Sequence, residues 1–326
     1  MNSEVAAYVP GGEALSRLGY GPAANIPSFA KSFPDGGTWR IEIPSVEGPA
    51  SLEVALTEAS KLEVPIHRVS QGSGVTMHTD REIVDMVQMS AETNVELCLF
   101  ARPGANWDIG AARYSAAGSI AARSRGVTQL GAAIAEIERG VALGVRSFLI
   151  SDEGLLWTVN QLRQQGHLPA EIQFKVSVMA APVNPASFRV NELLGADTVN
   201  VPSDLTLAQL GELRAAGDAT LDFYVEAPDN IGGFIRYHEI SEIIRIAAPV
   251  YVKFGLRNSP DIYPAGAQLT SNILQSTSER VRRARLGLDE LQRSGVSHPM
   301  SPIGSRDQLT MKRFSSPTMC ESDGAQ

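Results

Sequence analysis

Hydrophobic residues recur along this chain in short β-branched or aromatic runs, and nearly every run is followed by a stretch with helical periodicity. The runs are Trp39–Ile43, Val64–Ser70, Val95–Phe100, Ser147–Ile150, Gln173–Met179, Thr198–Val201, Asp222–Val225 and Pro249–Phe254. Such runs read as strands because branched and aromatic side chains pack well on a pleated surface. Between them, amphipathic patterns predict helices over Ser51–Leu62, Thr79 to about Ala91, Gln129–Leu143, Leu155–Gln165, Asn184–Leu194, Leu205–Ala216, Phe234–Ile246 and within Ser271–Ser294. Thr79 with Glu82 three residues on is a capping box, and Gly144 and Gly195 are helix stops. No hairpin signal recurs between the strands.

Strict alternation of strand and helix predicts a parallel sheet. Eight units over roughly 250 residues is the count of a single (β/α)8 TIM barrel. An open doubly wound sheet is the rival, but its Gly-x-Gly-x-x-Gly turn is absent, and Gln71-Gly72-Ser73-Gly74 is only a distant approach to it. The reading divides the chain into an N-terminal arm over 1–37, a barrel over 38–295 and an aperiodic C-terminal tail over 296–326. Within that tail, Pro299-Met300-Ser301-Pro302 is suited to fold over one end of the barrel.

Composition narrows the partners. With 36 acidic and 28 basic residues in 326, the net charge is −8, which argues against nucleic acid as an obligate partner. No apolar run approaches a membrane span, and Met1-Asn2-Ser3-Glu4 has no secretory character, so a cytoplasmic protein with a small-molecule substrate is expected. The arm suits lying either on the barrel itself or on a second copy, and the latter would make a homo-oligomer. Two cysteines, Cys98 and Cys320, exclude a four-thiolate metal site and hence an iron–sulfur cluster.

Candidate chemistry follows from alternation along the strands. Taking polar residues as barrel-facing puts Glu42, Arg68 with Ser70, Asp152, Lys175 with Ser177, Asn200, Tyr224 with Glu226, and Lys253 inside. Ordinary barrel interiors are filled by Val, Ile and Leu. Acids and bases there must pair with each other, a ligand or a metal, because an unpaired buried charge is costly. Glu226 is singled out because it stands where the strand of Phe223-Tyr224-Val225 stops, at the end where barrels carry their active sites. Lys253, Glu226, Asp152 and Glu42 are therefore the candidate catalytic residues. Lys253 is read as a base or Schiff-base nucleophile, and the alternative is a structural salt bridge with Glu226. Glu42, Asp152 and Glu226 are read as general acids or bases, or as oxygen ligands for Mg²⁺ or Mn²⁺. The alternative for all three is counter-charge for Arg68, Lys175 and Lys253.

Arg68, Ser70, Gln71, Arg102, Asn200, Tyr224, Arg257 and Asn258 are the candidate substrate-binding residues. The Gly-rich connection from Arg102 to about Thr128, with Arg113, Arg123 and Arg125, reads as either a lid or a solvated insertion. Gln71–Gly74 and Asn230-Ile231-Gly232-Gly233 offer backbone N–H groups to an anion. Glu47 and Glu153 stand one step further out, toward the mouth. The five histidines have no metal spacing, and no nucleophile elbow is present.

Three stretches, Ile41-Glu42-Ile43-Pro44-Ser45-Val46-Glu47-Gly48-Pro49, His67-Arg68-Val69-Ser70-Gln71-Gly72-Ser73-Gly74 and Tyr251-Val252-Lys253-Phe254-Gly255-Leu256-Arg257-Asn258, resemble barrel proteins of the U32 peptidase family. The resemblance covers about residues 38–270. It implies a barrel and, by the family label, proteolysis; some branches resemble oxygen-independent hydroxylation systems with iron–sulfur clusters. This chain departs from both, because it lacks the family's Gly-Ala-x-Cys signature, so no family catalytic residue carries over. The expected activity is lyase, aldolase or isomerase chemistry on a small, polar, anionic metabolite. A peptidase-like hydrolase and a non-catalytic barrel that binds a ligand or partner are the alternatives.

Overall fold

The computed structural model describes residues 12–20, 26, 29, 31–102 and 123–305. Eight parallel strands close into one barrel in sequence order. They are β1 (Trp39–Pro44), β2 (Arg68–Ser70), β3 (Glu96–Phe100), β4 (Ser147–Ile150), β5 (Gln173–Val176), β6 (Thr198–Asn200), β7 (Thr220–Glu226) and β8 (Val250–Phe254). A short helix α1 (Gly12–Arg17) precedes them. The shell is α2 (Pro49–Lys61), α3 (Asp80–Thr93), α4 (Gly126–Ala142), α5 (Glu153–Gln164), α6 (Pro185–Leu194), α7 (Leu207–Ala216), α8 (Ile240–Ala247) and α9 (Thr270–Arg293). The expected (β/α)8 barrel is thus the observed fold, and the Thr79–Glu82 capping box opens α3.

Two cores result from the alternation. Ile41, Ile43, Val69, Leu97, Leu99, Phe148, Phe174, Val199, Phe223, Val252 and Phe254 are buried in the hydrophobic cluster that joins sheet and helices. The helices approach closely where glycine allows it. A Cβ on Gly287 of α9 would lie 2.4 Å from the Phe254 ring, and one on Gly140 of α4 would lie 2.8 Å from the Phe148 ring. The residues of opposite parity point into the barrel, and most of them are polar or charged.

The strand starts are closed off by the two flanking segments. Met300 pairs with Trp39, the Ser301 N–H donates to the Trp39 carbonyl at 3.1 Å, and Arg40 donates to Ser301 Oγ at 3.0 Å and to Asp35 Oδ2 at 3.0 Å. The Phe33 ring meets Tyr251 edge-on, with centroids 5.7 Å apart. Residues 299–305 and 33–37 therefore lie against the end opposite the strand termini that carry the candidate residues. Residues 103–122, with Arg113, and residues 306–326, with Cys320, fall outside the described chain. No described helix is long and apolar enough to cross a membrane.

His67 lies in this lower plug, fully buried. Its Nδ1 accepts from the Ile41 N–H at 3.1 Å and its Nε2 lies 2.8 Å from the Ser301 carbonyl, so the neutral ring with hydrogen on Nε2 satisfies both neighbours. Burial lowers its pKa from 6.5 to about 4. A folded-state value below the unfolded one means that the unfolded chain takes up the proton first, so stability falls as pH drops from 6.5 toward 4. Burial also lowers His78 and His298, which act in the same direction. Urea titrations at pH 7 and pH 5 should show weaker stability at pH 5, with His67 contributing about 2 kcal/mol of the loss. His67→Gln keeps a donor and an acceptor but no titration in this range, and should remove that share; an unchanged pH dependence in the variant would refute the assignment.

Candidate functional site

Mid-barrel, six charged side chains meet. Glu42 takes Lys253 Nζ at 2.9 Å, Arg68 Nη1 at 3.3 Å, the Ser70 hydroxyl at 2.6 Å and a short contact from Lys175. Asp222 takes Lys175 Nζ at 2.8 Å and Arg68 Nη1 at 3.2 Å. Glu96 takes Arg68 Nε at 2.8 Å, the Ser147 hydroxyl at 2.8 Å and the Tyr251 hydroxyl at 3.2 Å. All six are buried, and three acids balance three bases. Burial alone would raise the Glu42 carboxyl, but Lys175, Lys253 and Arg68 outweigh it and hold the group well below the usual carboxylate range.

Above this layer, at the carboxyl ends of the strands, lies a cavity of about 630 Å³. Its lining includes Ser70, Gln71, Arg102, Ser177, Asn200, Asp204, Tyr224, Lys253 and Tyr263. Of the six network charges, Lys253 is the one in this lining. Its ammonium group lies 4.4 Å from the centre of the Tyr224 ring. The Asn200 amide, oriented to satisfy both neighbours, accepts from Lys253 Nζ at 3.2 Å and donates to the Asp222 carbonyl at 3.2 Å. An ammonium has three N–H donors, so after Glu42 and Asn200 one remains for a ligand. No described residue hydrogen-bonds the Tyr224 hydroxyl, and burial followed by the charge of Glu42 raises its pKa, leaving a neutral phenol that can donate.

The sequence-predicted set divides along these lines. Lys253, Ser70, Gln71, Arg102, Asn200 and Tyr224 line the cavity. Glu42 and Arg68 lie beneath it in the ion network. Arg102 donates to the Gly72 carbonyl at 2.6 Å, and the Gln71 amide both donates to and accepts from the Gly74 backbone at 3.1 Å.

Glu226 does not face the interior. The β7–β8 register shifts between Tyr224 and Glu226, so Glu226 comes opposite Phe254, which packs on the helices. Its carboxylate takes the Arg257 N–H at 2.9 Å and a short hydrogen bond from the Tyr237 hydroxyl, with Arg283 of α9 at 3.8 Å. The expected Lys253–Glu226 pair is therefore replaced by Lys253–Glu42. Asp152 lies just beyond β4 as the cap of α5, accepting from the Leu155 and Ser124 N–H groups at 2.8 Å each. Glu42, Asp152 and Glu226 thus occupy three separate surroundings, and no trio of His, Cys, Asp or Glu among the described residues forms a metal-ligand set.

Arg257 and Asn258 clamp the loops after β7 and β8: Arg257 Nε and the Asn258 N–H meet the two oxygens of Asp229 at 2.8 and 2.5 Å. The Gly72 and Ser73 N–H groups, expected to be available to an anion, donate to Glu47 at 2.7 and 3.0 Å. Glu153 pairs with Arg123 at 2.9 Å.

Three residues of this region went unselected in the sequence. Asp222 shares its parity with Tyr224, so alternation alone was sufficient to place it inside. Glu96 stands at the start of β3, where the sheet register brings it opposite Arg68. Tyr263 lies in a loop without periodicity and carried no signal. Asp222→Asn leaves Arg68 and Lys175 short of counter-charge and should cost about 3–5 kcal/mol in urea unfolding. Glu226→Gln weakens hydrogen bonds outside the barrel and should cost about 1–3 kcal/mol without altering ligand binding in the cavity. Equal costs for the two changes would contradict the balanced network.

No family model matches this chain, and no curated protein does. Solved structures share the barrel loosely. A U32 peptidase is 18% identical, with 62% of this chain and 73% of that one covered and a TM-score of 0.40. A 2,3-dimethylmalate lyase is 13% identical over 80% and 85%, TM-score 0.43. The thiamine phosphate pyrophosphorylase from Pyrococcus furiosus is 12% identical over 76% and 96%, TM-score 0.41. The three names span three activities, and likeness at this level tells nothing of chemistry. The U32 resemblance of the sequence therefore stands as a weak likeness of fold.

Proposed function

We propose that this U32-like barrel is an enzyme of the lyase, aldolase or isomerase type. Its substrate would be a small, polar, anionic metabolite bound in the 630 Å³ cavity at the carboxyl ends of the strands. One observation carries the reading: Lys253 is where the interior ion network meets the cavity, with the Tyr224 ring beside it. Among the described residues, two cations, Lys253 and Arg102, and one exposed carboxylate, Asp204, line the space, which favours a negatively charged ligand.

The arrangement favours acid–base chemistry over a Schiff base. Lys253 Nζ is tied to the Glu42 carboxylate at 2.9 Å, and a nitrogen engaged in that ion pair is not free to attack a carbonyl carbon. Its remaining N–H and the Tyr224 O–H form a donor pair for a substrate oxygen. Such donors stabilise the negative charge that builds on oxygen when a bond next to a carbonyl breaks, and they are held in place before the reaction begins. Among the described residues, Asp204 is the carboxylate in the lining, and it would accept the proton.

The test is turnover of a panel of 2-oxo acids, hydroxy acids and phosphorylated aldehydes, followed by NMR. Lys253→Met should lower kcat by about 100- to 1000-fold and Tyr224→Phe by about 10-fold or more. Glu226→Gln and Asp152→Asn should stay within a few-fold of the parent, since neither side chain lines the cavity. Borohydride should leave Lys253 unmodified in the presence of a turned-over substrate. Turnover that survives Lys253→Met would end this reading, and a reduced adduct at Lys253 would replace the acid–base version by the Schiff-base one.

A further inference from the structure

Arg280 lies on the buried face of helix α9, between Thr277 and Ala284. An arginine on such a face needs an explanation, and Arg280 is only 3% exposed. Its Nη1 reaches the Ser45 carbonyl at 3.4 Å, and its Nε has no hydrogen-bond partner. Among the described residues no carboxylate pairs with it. Arg68, buried to the same degree, pairs with three carboxylates. Glu47 acts on Arg280 through its charge but makes no ion pair with it, its oxygens taking the Gly72 and Ser73 N–H groups, and Asp229 is engaged by Arg257 and Asn258.

Arg280 lines a second cavity, of about 170 Å³. This space shares Ser45, Pro228, Asn230 and Tyr263 with the larger one, so the two adjoin. The hydrogen bond between the Ser45 and Tyr263 hydroxyls, 2.5 Å long, belongs to their common wall. Arg214 is also buried with unpartnered nitrogens, but it lines neither of these two cavities. The distinguishing feature of Arg280 is thus an under-bonded guanidinium beside an open space. That space is small for a whole metabolite and suited to one charged group. A guanidinium offers its N–H donors in a planar fork that matches a carboxylate or phosphate, and a dry surrounding strengthens the contact. Asp229 and Asp261 at the rim oppose an anion, but both are solvent-exposed, where their charge is screened.

We propose that Arg280 is an oxyanion subsite, taking a terminal phosphate or carboxylate of a ligand whose reacting part lies against Lys253 in the larger cavity. The inference rests on reading that cavity as the ligand site, and it assigns the substrate class as a molecule with an oxyanion at the end remote from the reacting carbonyl.

The test uses inorganic phosphate and acetate as separate probes, titrated by calorimetry at constant ionic strength into the parent protein, Arg280→Met and Lys253→Met. Phosphate or acetate should bind the parent and raise its Tm, and the tighter of the two identifies the group. Arg280→Met keeps the apolar stem and should weaken that probe at least 10-fold, with the anion-dependent rise in Tm lost. Lys253→Met should retain it within about threefold. Binding kept in Arg280→Met but lost in Lys253→Met would overturn the subsite and leave the larger cavity's role intact. Absence of binding of both probes to the parent would also overturn it. Should Arg280→Met not fold, phenylglyoxal labelling of the parent decides: phosphate or acetate should slow modification of Arg280, read by mass spectrometry, and an unchanged rate refutes the proposal.

Discussion

Six charges enclosed in one barrel are tolerable only as a complete set. Each of Glu42, Glu96 and Asp222 would be costly to bury alone, as would Arg68, Lys175 and Lys253, and the structure meets that constraint by matching them three to three. Arg68 touches all three acids, and Glu42 touches all three bases. The partners come from β1, β2, β3, β5, β7 and β8, so the network ties together most of the sheet from inside. It takes the place that packed aliphatic side chains have in an ordinary barrel, and the apolar packing is displaced to the interface of sheet and helices.

That arrangement makes the floor of the cavity polar and fixed. Lys253 has its position set by Glu42, Asn200 and the Tyr224 ring. The carboxylates nearer the mouth act differently. Glu47, Asp152, Glu226 and Asp229 each accept backbone N–H groups from the loops that follow the strands. They hold the loops that shape the opening, and they are engaged in doing so. Arg280 differs from the charges of the network, because among the described residues no carboxylate makes an ion pair with it and its Nε has no hydrogen-bond partner.

Much of this was legible beforehand. Alternation places Glu42, Arg68, Ser70, Lys175, Asn200, Tyr224 and Lys253 inside the barrel, and the structure has them there. Alternation failed at Glu226 because a one-residue shift of register reverses the side of every residue beyond it. Such a shift leaves no mark in the order of hydrophobic and polar residues: Val225 and Glu226 look the same with or without it. Asp152 misled for a related reason, since an aspartate just past a strand is equally the first residue of a helix cap. Arg280 was out of reach because a helix that covers a sheet shows its buried residues by spacing but not by what they meet.

The order of hydrophobic and polar positions by itself determined eight strand–helix units, their parallel closure, and the unusual presence of charge on the inward parity, because those properties depend on neighbours a few residues apart. Which charges pair, which single one of them borders the cavity, and which carboxylates turn aside to bind loops were decided by the tertiary structure. Those outcomes depend on the stagger between strands distant in sequence and on one helix laid across two loops, and distances of a few ångströms between such elements are not written in either one alone.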